Sequence, residues 1–153
     1  MEVATQLSLF LANQPGTLAA VCDFLSEHDI NIYAFTTSDS VDHTVVRMVV
    51  DQPRQAMLVL ERRGALVVET EVLMLEGDNK PGSLARIAQL LAEEGANIEY
   101  AYCATPPQSK RGLLILRPDD IALAMRAINR KPAAKKKTVA AKGKAAKKTA
   151  RKR

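Results

Sequence analysis

The sequence contains little of the chemistry that catalysis and cross-linking require. Its 153 residues include two cysteines and two histidines. Two cysteines are too few for the disulfide framework of a small secreted domain, so we expect a reducing, cytoplasmic environment. His28 and His43 have no cysteine or carboxylate at the spacing of metal ligands, and neither predicts a metal site.

Catalytic and membrane signatures are also missing. The chain has no phosphate-binding loop, no Gly-x-Gly-x-x-Gly and no nucleophile elbow, so we expect no enzymatic activity and no cofactor. Residues 3–22 form an uncharged stretch, but Gln6, Asn13 and Pro15 interrupt it. Glu2 does not fit the basic start of a signal peptide. We therefore expect no contact with a membrane.

Negative charge is absent from the C-terminal segment. Residues 131–153 hold 11 Lys/Arg and no acid, whereas residues 1–130 hold 11 Lys/Arg against 17 Asp/Glu, a net charge of −6. The segment lacks large apolar side chains other than Val139 and is predicted to be disordered. It resembles the Lys/Ala-rich tails of linker-histone-like bacterial proteins, which predicts non-specific nucleic-acid binding. The alternatives are a solubility tail or one that folds onto the acidic body.

The chain does contain a duplication. A shift of 66 positions aligns Asn31-Ile32 with Asn97-Ile98, and the apolar pattern repeats at the same offset. The longest matching segments are Asn13-Gln14-Pro15-Gly16-Thr17-Leu18-Ala19 and Asn79-Lys80-Pro81-Gly82-Ser83-Leu84-Ala85. We predict two repeats, residues 1–69 and 70–130, followed by the tail of residues 131–153. Units this small bury little surface alone, so the repeats should pack on each other.

The first strand and helix are predicted from periodicity. In residues 5–12, leucines alternate with the polar residues Gln6 and Ser8, which is typical of a strand buried on one face. Thr17 is expected to cap a following helix. The side chains predicted to face inward on this helix are Leu18, Val21, Cys22 and Leu25.

The remaining pattern defines the fold class. Residues 30–37 and 44–51 read as a hairpin, residues 54–63 as a helix and residues 65–68 as a strand. The order is βαββαβ, the α+β ferredoxin-like arrangement with both helices on one face of an antiparallel sheet. The second copy repeats this order, but residues 131–134 form a poor strand, so it is predicted to lack its last one. No turn signal lies between residues 67 and 76, so we expect one strand to continue from the first repeat into the second.

The Asn-x-Pro-Gly loops occur at the same place in both repeats, between a strand and a helix. Such a junction presents unpaired N–H groups and the positive end of the helix dipole, which suit a carboxylate. Gly16 and Gly82 allow a ligand to approach the backbone. The amides of Asn13 and Asn79 both donate and accept, as a zwitterion requires. The alternative is a tight turn capped by Asn, but the duplication favours the ligand site.

The two loops, together with Ile30-Asn31-Ile32 and Ala96-Asn97-Ile98, resemble the signature of the ACT domain over residues 5–130. That resemblance implies a βαββαβ amino-acid-sensing module of the kind that regulates phosphoglycerate dehydrogenase and acetolactate synthase. It implies that Asn13 and Asn79 contact a ligand from the loops. A His that precedes the loop Asn by two residues in serine-binding relatives is Leu11 or Gly77 here, so the resemblance does not name the amino acid.

The predicted ligand-binding residues follow from this resemblance. They are Asn13, Gln14, Pro15, Gly16, Thr17, Leu18, Asn31, Ile32, Asn79, Lys80, Pro81, Gly82, Ser83, Leu84, Asn97 and Ile98. From the dimers of the family we expect the repeats to pair through their second strands, which would place Asn13 with Asn97 and Asn79 with Asn31. Tyr100 and Tyr102 are expected in packing or inter-repeat contacts rather than in a ligand cavity.

We therefore expect a non-enzymatic regulatory protein that binds a small amino acid. One alternative is a nucleic-acid-associated protein whose duplicated domain forms a homodimer. The other is a regulatory subunit of an amino-acid biosynthetic enzyme such as acetolactate synthase.

Overall fold

The computed structural model describes residues 1–39 and 43–130, so the predictions for the tail and for residues 131–134 lie outside the described residues. The elements in chain order are β1 Glu2–Ala12, α1 Thr17–Glu27, β2 Ile32–Asp39, β3 His43–Val50, α2 Pro53–Arg62, β4 Leu66–Asp78, α3 Ser83–Glu93, β5 Ile98–Ala104, β6 Arg111–Pro118 and α4 Ile121–Asn129. None of these helices is long and apolar enough to cross a membrane.

The strands of the described ranges form one antiparallel sheet in the order β2-β3-β1-β4-β6-β5. Strands β1 to β4 lie side by side in the order β4-β1-β3-β2, which is the ferredoxin-like order. The α+β class and the continuity of the two repeats are confirmed, since β4 runs without a break over 13 residues.

The expected pairing through second strands is wrong. The repeats join through β1 and β4, and β2 and β5 lie at opposite edges of the sheet. Thr5 pairs with Glu71, the residue 66 positions later, so a pseudo-twofold axis passes through this pair. Both central strands extend past the axis, so residues 2–10 of β1 pair with residues 66–74 of β4.

This pairing completes the sheet of repeat two. Residues 2–4 of β1 lie beside residues 72–74 of β4, where the pseudo-symmetry places the fourth strand of repeat two. In repeat one the equivalent position is filled by the first residues of β4, where Val67 pairs with Leu9. Repeat two therefore takes its fourth strand from the start of β1.

The helices cover one face of the sheet. Leu7 and Leu9 of β1 are fully buried under α1 and α2, and Leu73 of β4 is fully buried under α3 and α4. Burying each such leucine stabilises the fold by about 1.5–3 kcal/mol. The expectation that Cys22 is buried is wrong: the inward face of α1 is formed by Leu18, Val21, Phe24 and Leu25, and Cys22 lies outside it and is exposed.

The opposite face of β1 is also covered, contrary to the one-sided strand that its alternation predicted. Gln6 is 0% exposed and Ser8 is 9% exposed. The Gln6 Nε2 donates to the Tyr100 hydroxyl at 2.7 Å, and the Tyr102 hydroxyl donates to Gln6 Oε1 at 3.1 Å. Because β1 and β5 are three positions apart in the sheet, about 14 Å when flat, these contacts require the sheet to curl.

The curl creates a concave face with its own small core. Val49, Val72 and Ile115 are buried there, and Tyr102 packs against them. Both tyrosines therefore make the inter-repeat contact expected from the sequence. The buried Gln6 amide is bonded at its nitrogen and its oxygen, which satisfies both of its polar ends.

Candidate functional site

The two Pro-Gly loops have the same backbone geometry. Gly16 and Gly82 are the N-cap residues of α1 and α3, with left-handed φ values of 88° and 87°. Glycine adopts this conformation at little cost. The predicted capping role of Thr17 is wrong, since Thr17 is the first residue of α1 and no side chain caps either helix.

The absence of a side-chain cap leaves these helix starts available. In α4, by contrast, Asp120 accepts a hydrogen bond from the Leu123 N–H at 2.8 Å. The first-turn amides of α1 and α3 receive no such acceptor from a capping side chain. An uncapped first turn retains donors and the positive end of the helix dipole, which can bind a carboxylate.

Asn79 fixes the loop of repeat two to the β5–β6 connection. Its backbone N–H donates to the Lys110 carbonyl at 2.9 Å, and its side-chain Nδ2 donates to the Ser109 carbonyl at 2.8 Å. The amide oxygen is the remaining polar atom of this side chain. Asn79 can therefore hold the loop in place and still accept one hydrogen bond from a ligand.

A pocket of about 290 Å³ lies beside this loop. Four of the predicted site residues line it: Asn79, Lys80, Ser83 and Leu84. The other lining residues were not among the predicted ones; they include Met1, Gly77, Arg86, Ile87, Cys103 and Thr105. Met1, Cys103 and Thr105 are far from the Pro-Gly motif in the sequence, so no local pattern could indicate them.

The charges around this repeat-two pocket are balanced. Lys80 and Arg86 contribute two cations, and Glu76 and Asp78 contribute two carboxylates. The Lys80 Nζ lies 3.0 Å from Asp78 Oδ2, and this hydrogen bond with the Lys80 charge lowers the pKa of Asp78 below its usual range. Both members of the pair are exposed, so the contact is worth little on its own. A pocket with equal numbers of both charges suits a zwitterion.

The pocket beside α1 in repeat one has a similar volume, about 310 Å³, but a different lining. Thr17 is the predicted site residue that it includes, and Asn13 and Gln14 lie outside it. Leu11 takes the position of Gly77 and is buried in the core. The charged side chain of the lining is Arg63, whose guanidinium stacks on the Phe24 ring at 4.0 Å. This repeat-one pocket offers one cation and no carboxylate, so it cannot pair both charges of an amino acid.

Asn31 and Asn97 have matching backbone roles. The Asn31 N–H donates to Asp51 Oδ1 at 3.0 Å, and the Asn31 carbonyl accepts from the Asp51 N–H at 3.0 Å. Asn97 makes the same two bonds with Asp119, also at 3.0 Å. These contacts fix the start of β2 and of β5. The two aspartates were not singled out from the sequence.

The structure does not bring the strand-start asparagines to either loop pocket. Asn31 and Asn97 are exposed and line neither the repeat-one nor the repeat-two pocket. Each lies at the start of an edge strand, level with the Thr5–Glu71 pair, at the opposite end of its strand from the loop of its own repeat. Among the other predicted residues, Leu18, Ile32 and Ile98 pack against the helix-side cores.

Residues 1–39 and 43–130 contain no group of three or more His, Cys, Asp or Glu that could hold a metal ion. The arrangement in this part of the chain supports binding of a small polar ligand through backbone donors and balanced charges.

This fold, a pair of ferredoxin-like repeats with Pro-Gly loops at two helix starts, defines a class of small tandem domains. The family model described as an ACT domain pair matches residues 1–140, and the chain belongs to this family. No match is found among the curated proteins.

Solved structures share the fold. Protein BT0572 from Bacteroides thetaiotaomicron is 30% identical, with a TM-score of 0.78, covering 82% of this chain and 86% of that chain. The regulatory subunit of aspartate kinase from Thermus flavus is 25% identical, with a TM-score of 0.56 and coverage of 84% and 95%. The corresponding subunit from Thermus thermophilus, in a ligand-free form, is 24% identical, with a TM-score of 0.62 and coverage of 84% and 95%.

Proposed function

We propose that this chain is a regulatory protein that binds a small amino acid in the repeat-two pocket. The observation that carries the proposal is the combination, in one cavity, of an uncapped α3 start with balanced charges. The repeat-one pocket has a matching helix start but lacks the second charge. The site is therefore assigned to the second loop.

The lining suggests how the ligand is held. The carboxylate of the ligand accepts hydrogen bonds from the first-turn amides of α3. It also lies near Lys80 and Arg86, whose positive charges strengthen hydrogen bonds to a carboxylate. Its ammonium donates to the Asn79 amide oxygen and lies near Asp78. The apolar side chains of Leu84 and Ile87 face the remainder of the ligand. Neither Asn31 nor Asn97 takes part unless a second copy of the chain supplies it.

We further propose that the bound state is passed to an enzyme of amino-acid biosynthesis in the cytoplasm, and that this chain catalyses no reaction itself. The similarity to regulatory subunits of aspartate kinase supports this role. The alternative is a free-standing sensor that acts as a homodimer.

A thermal-shift screen against the common amino acids tests the binding proposal. A ligand of the native state raises the melting temperature by mass action. We expect one or a few amino acids to raise it in the wild type and in Asn13→Ala, and to lose their effect in Asn79→Ala. A wild type that responds to none of them contradicts the proposal. Co-purification with a biosynthetic enzyme then separates a regulatory subunit from a free-standing sensor.

A second candidate function rests on the separation of charge along the sequence. Residues 131–153 carry 11 cations without an acid, which can neutralise phosphates. We expect the full chain to bind duplex DNA at low salt without sequence preference, and a chain ending at Asn129 not to bind. Equal retention of both forms on DNA would place the binding surface elsewhere.

A further inference from the structure

A third pocket, of about 250 Å³, lies on the concave face of the sheet, between the repeats. Its lining comes from five strands and both repeats: Ser8, Phe10, Val45, Arg47, Val68, Thr70, Glu99, Tyr100 and Arg117. We call it the inter-repeat pocket. It shares Phe10 with the repeat-one pocket and no lining residue with the repeat-two pocket.

Arg47 is the distinctive side chain of this pocket. It is half-buried on β3, and its guanidinium carbon lies 4.7 Å from the centroid of the Tyr100 ring. No carboxylate within residues 1–39 and 43–130 forms an ion pair with it. The contact with the ring does not use the guanidinium N–H groups, which remain available as donors beside the pocket.

The other charges of the pocket are already paired. Arg117 Nε donates to Glu99 Oε2 at 3.0 Å, and Arg117 Nη1 donates to the Glu71 carbonyl at 2.7 Å. Two arginines and one glutamate give the lining a formal charge of +1. Glu99 is paired with Arg117, so Arg47 carries the excess positive charge of the lining, which favours an anion over a zwitterion.

The walls add a short apolar surface. Phe10 and Val68 are each 45% exposed, and Val45 lies opposite Phe10 on the neighbouring strand. Half-exposed apolar groups around a cation favour an anion that carries its own apolar chain. The hydroxyls of Ser8 and Thr70 supply further polar contacts at the edge of the ligand.

We propose that the inter-repeat pocket binds a small monocarboxylate with a short branched aliphatic chain and no ammonium group. Arg47 holds the carboxylate through its edge donors. The aliphatic chain contacts Phe10, Val45 and Val68. Because Arg47 also lies over the Tyr100 ring of β5, a ligand that fixes Arg47 stabilises this contact between the repeats. This site is separate from the amino-acid site proposed at the repeat-two loop.

Isovalerate, isobutylamine, L-leucine and inorganic phosphate serve as probes, titrated by calorimetry into the full chain. Isobutylamine lacks the carboxylate, L-leucine adds an ammonium and phosphate lacks the apolar chain. Tyrosine fluorescence is a second readout, because the chain has three tyrosines and no tryptophan. We expect millimolar binding of isovalerate with a change in tyrosine emission, weaker binding of L-leucine through this site, and no heat from isobutylamine or phosphate.

Variants locate the site. Arg47→Gln should weaken isovalerate binding by roughly tenfold or more, since it removes a charge-assisted contact. Arg54→Gln changes an exposed arginine of α2 and is the matched control, expected to bind within about twofold of the wild type. Val68→Glu places a tethered carboxylate in the pocket and should abolish binding. Circular dichroism of each variant shows whether it is folded.

The proposal is overturned if the wild type does not bind isovalerate, or if folded Arg47→Gln and Arg54→Gln bind it equally. The proposal is also overturned if phosphate binds as tightly as isovalerate, because the site would then bind anions in general. Loss of isovalerate binding in Asn79→Ala with retention in Arg47→Gln would move the ligand to the loop. A negative amino-acid screen would refute the proposed function and leave this result standing.

Discussion

Repeat one and repeat two share a backbone frame and differ in the side chains placed on it. Both present a left-handed glycine at an uncapped helix start, and both fix the next strand through an asparagine and an aspartate. Around the second loop, however, Gly77 and Lys80 stand where Leu11 and Gln14 stand in the first. The second loop thus gains charge, while the two pockets stay similar in volume. After duplication, the frame supports the fold of both halves, while a few substitutions decide which half can bind a polar ligand.

The largest effect is expected where the two halves are joined. Gln6→Ala leaves the hydroxyls of Tyr100 and Tyr102 without their partner and opens a cavity at a fully buried position. Each unsatisfied group costs about 1–3 kcal/mol, so we expect a loss of roughly 2–6 kcal/mol in the free energy of unfolding. Urea denaturation measures it.

The combination of Gln6→Leu with Tyr100→Phe and Tyr102→Phe is the control. Replacing all partners with apolar groups should recover most of that stability. A triple variant as unstable as Gln6→Ala would show that packing, rather than unpaired polar groups, accounts for the loss.

The next effect concerns the fourth strand, which repeat one builds itself and repeat two takes from β1. Removal of residues 1–4 deletes the partner of residues 72–74. We expect a loss of about 2–3 kcal/mol from a few hydrogen bonds at about 1 kcal/mol each, with faster amide exchange in the second half of β4. Ending the chain at Asn129 is the control and should change the melting temperature little. The opposite ranking of the two truncations would mean that the tail, not β1, completes the second sheet.

A smaller effect should be similar in both repeats. Asp51→Ala and Asp119→Ala each remove one side-chain acceptor for an asparagine N–H at an exposed site. We expect each to lower the free energy of unfolding by about 1 kcal/mol. Asp119 also accepts from the Asp120 N–H at 2.9 Å, so its loss should be slightly larger. A several-fold difference between the two losses in the free energy of unfolding would contradict the structural equivalence of the two repeats.

The smallest effect is the pH dependence of the inter-repeat contact. Burial raises the pKa of Tyr102 above its ordinary value of 10.0. The unfolded chain therefore ionises first, and the stability that this phenol contributes, present below pH 10, is lost as pH rises further. Because the phenol is partly exposed, the slope should stay under about 1 kcal/mol per pH unit. Tyr102→Phe should flatten the stability profile between pH 9 and 11; an unchanged slope would assign it to other groups.

The sequence predicted the elements and the duplication because these depend on local patterns. The alternation of Leu7 and Leu9 and the absence of a turn before Glu76 are local, and the structure confirms β1 and a continuous β4. The pairing of repeats was missed because a strand pattern does not say which edge meets which. The burial of Gln6 was missed for the same reason: alternation gives the period but not what covers the second face.

Part of the site could also not be predicted. Asp51 and Asp119 are 68 positions apart rather than 66, because the β5–β6 connection is longer, so the repeat offset alone does not align them. The Pro-Gly motif indicated where α1 and α3 begin, but not that they lack a side-chain cap, since Thr17 was expected to cap α1. The lining from Met1, Cys103 and Thr105 depends on tertiary structure.

The account rests on the claim that the second loop, and not the first, binds an amino acid. Amide NMR of the ¹⁵N-labelled chain, titrated with the amino acid found in the thermal screen, tests this inside one molecule. The account predicts large shifts for the Leu84 and Ala85 amides at the start of α3 and small ones for their counterparts Leu18 and Ala19. Equal shifts at both helix starts, or larger ones at Leu18 and Ala19, would contradict it.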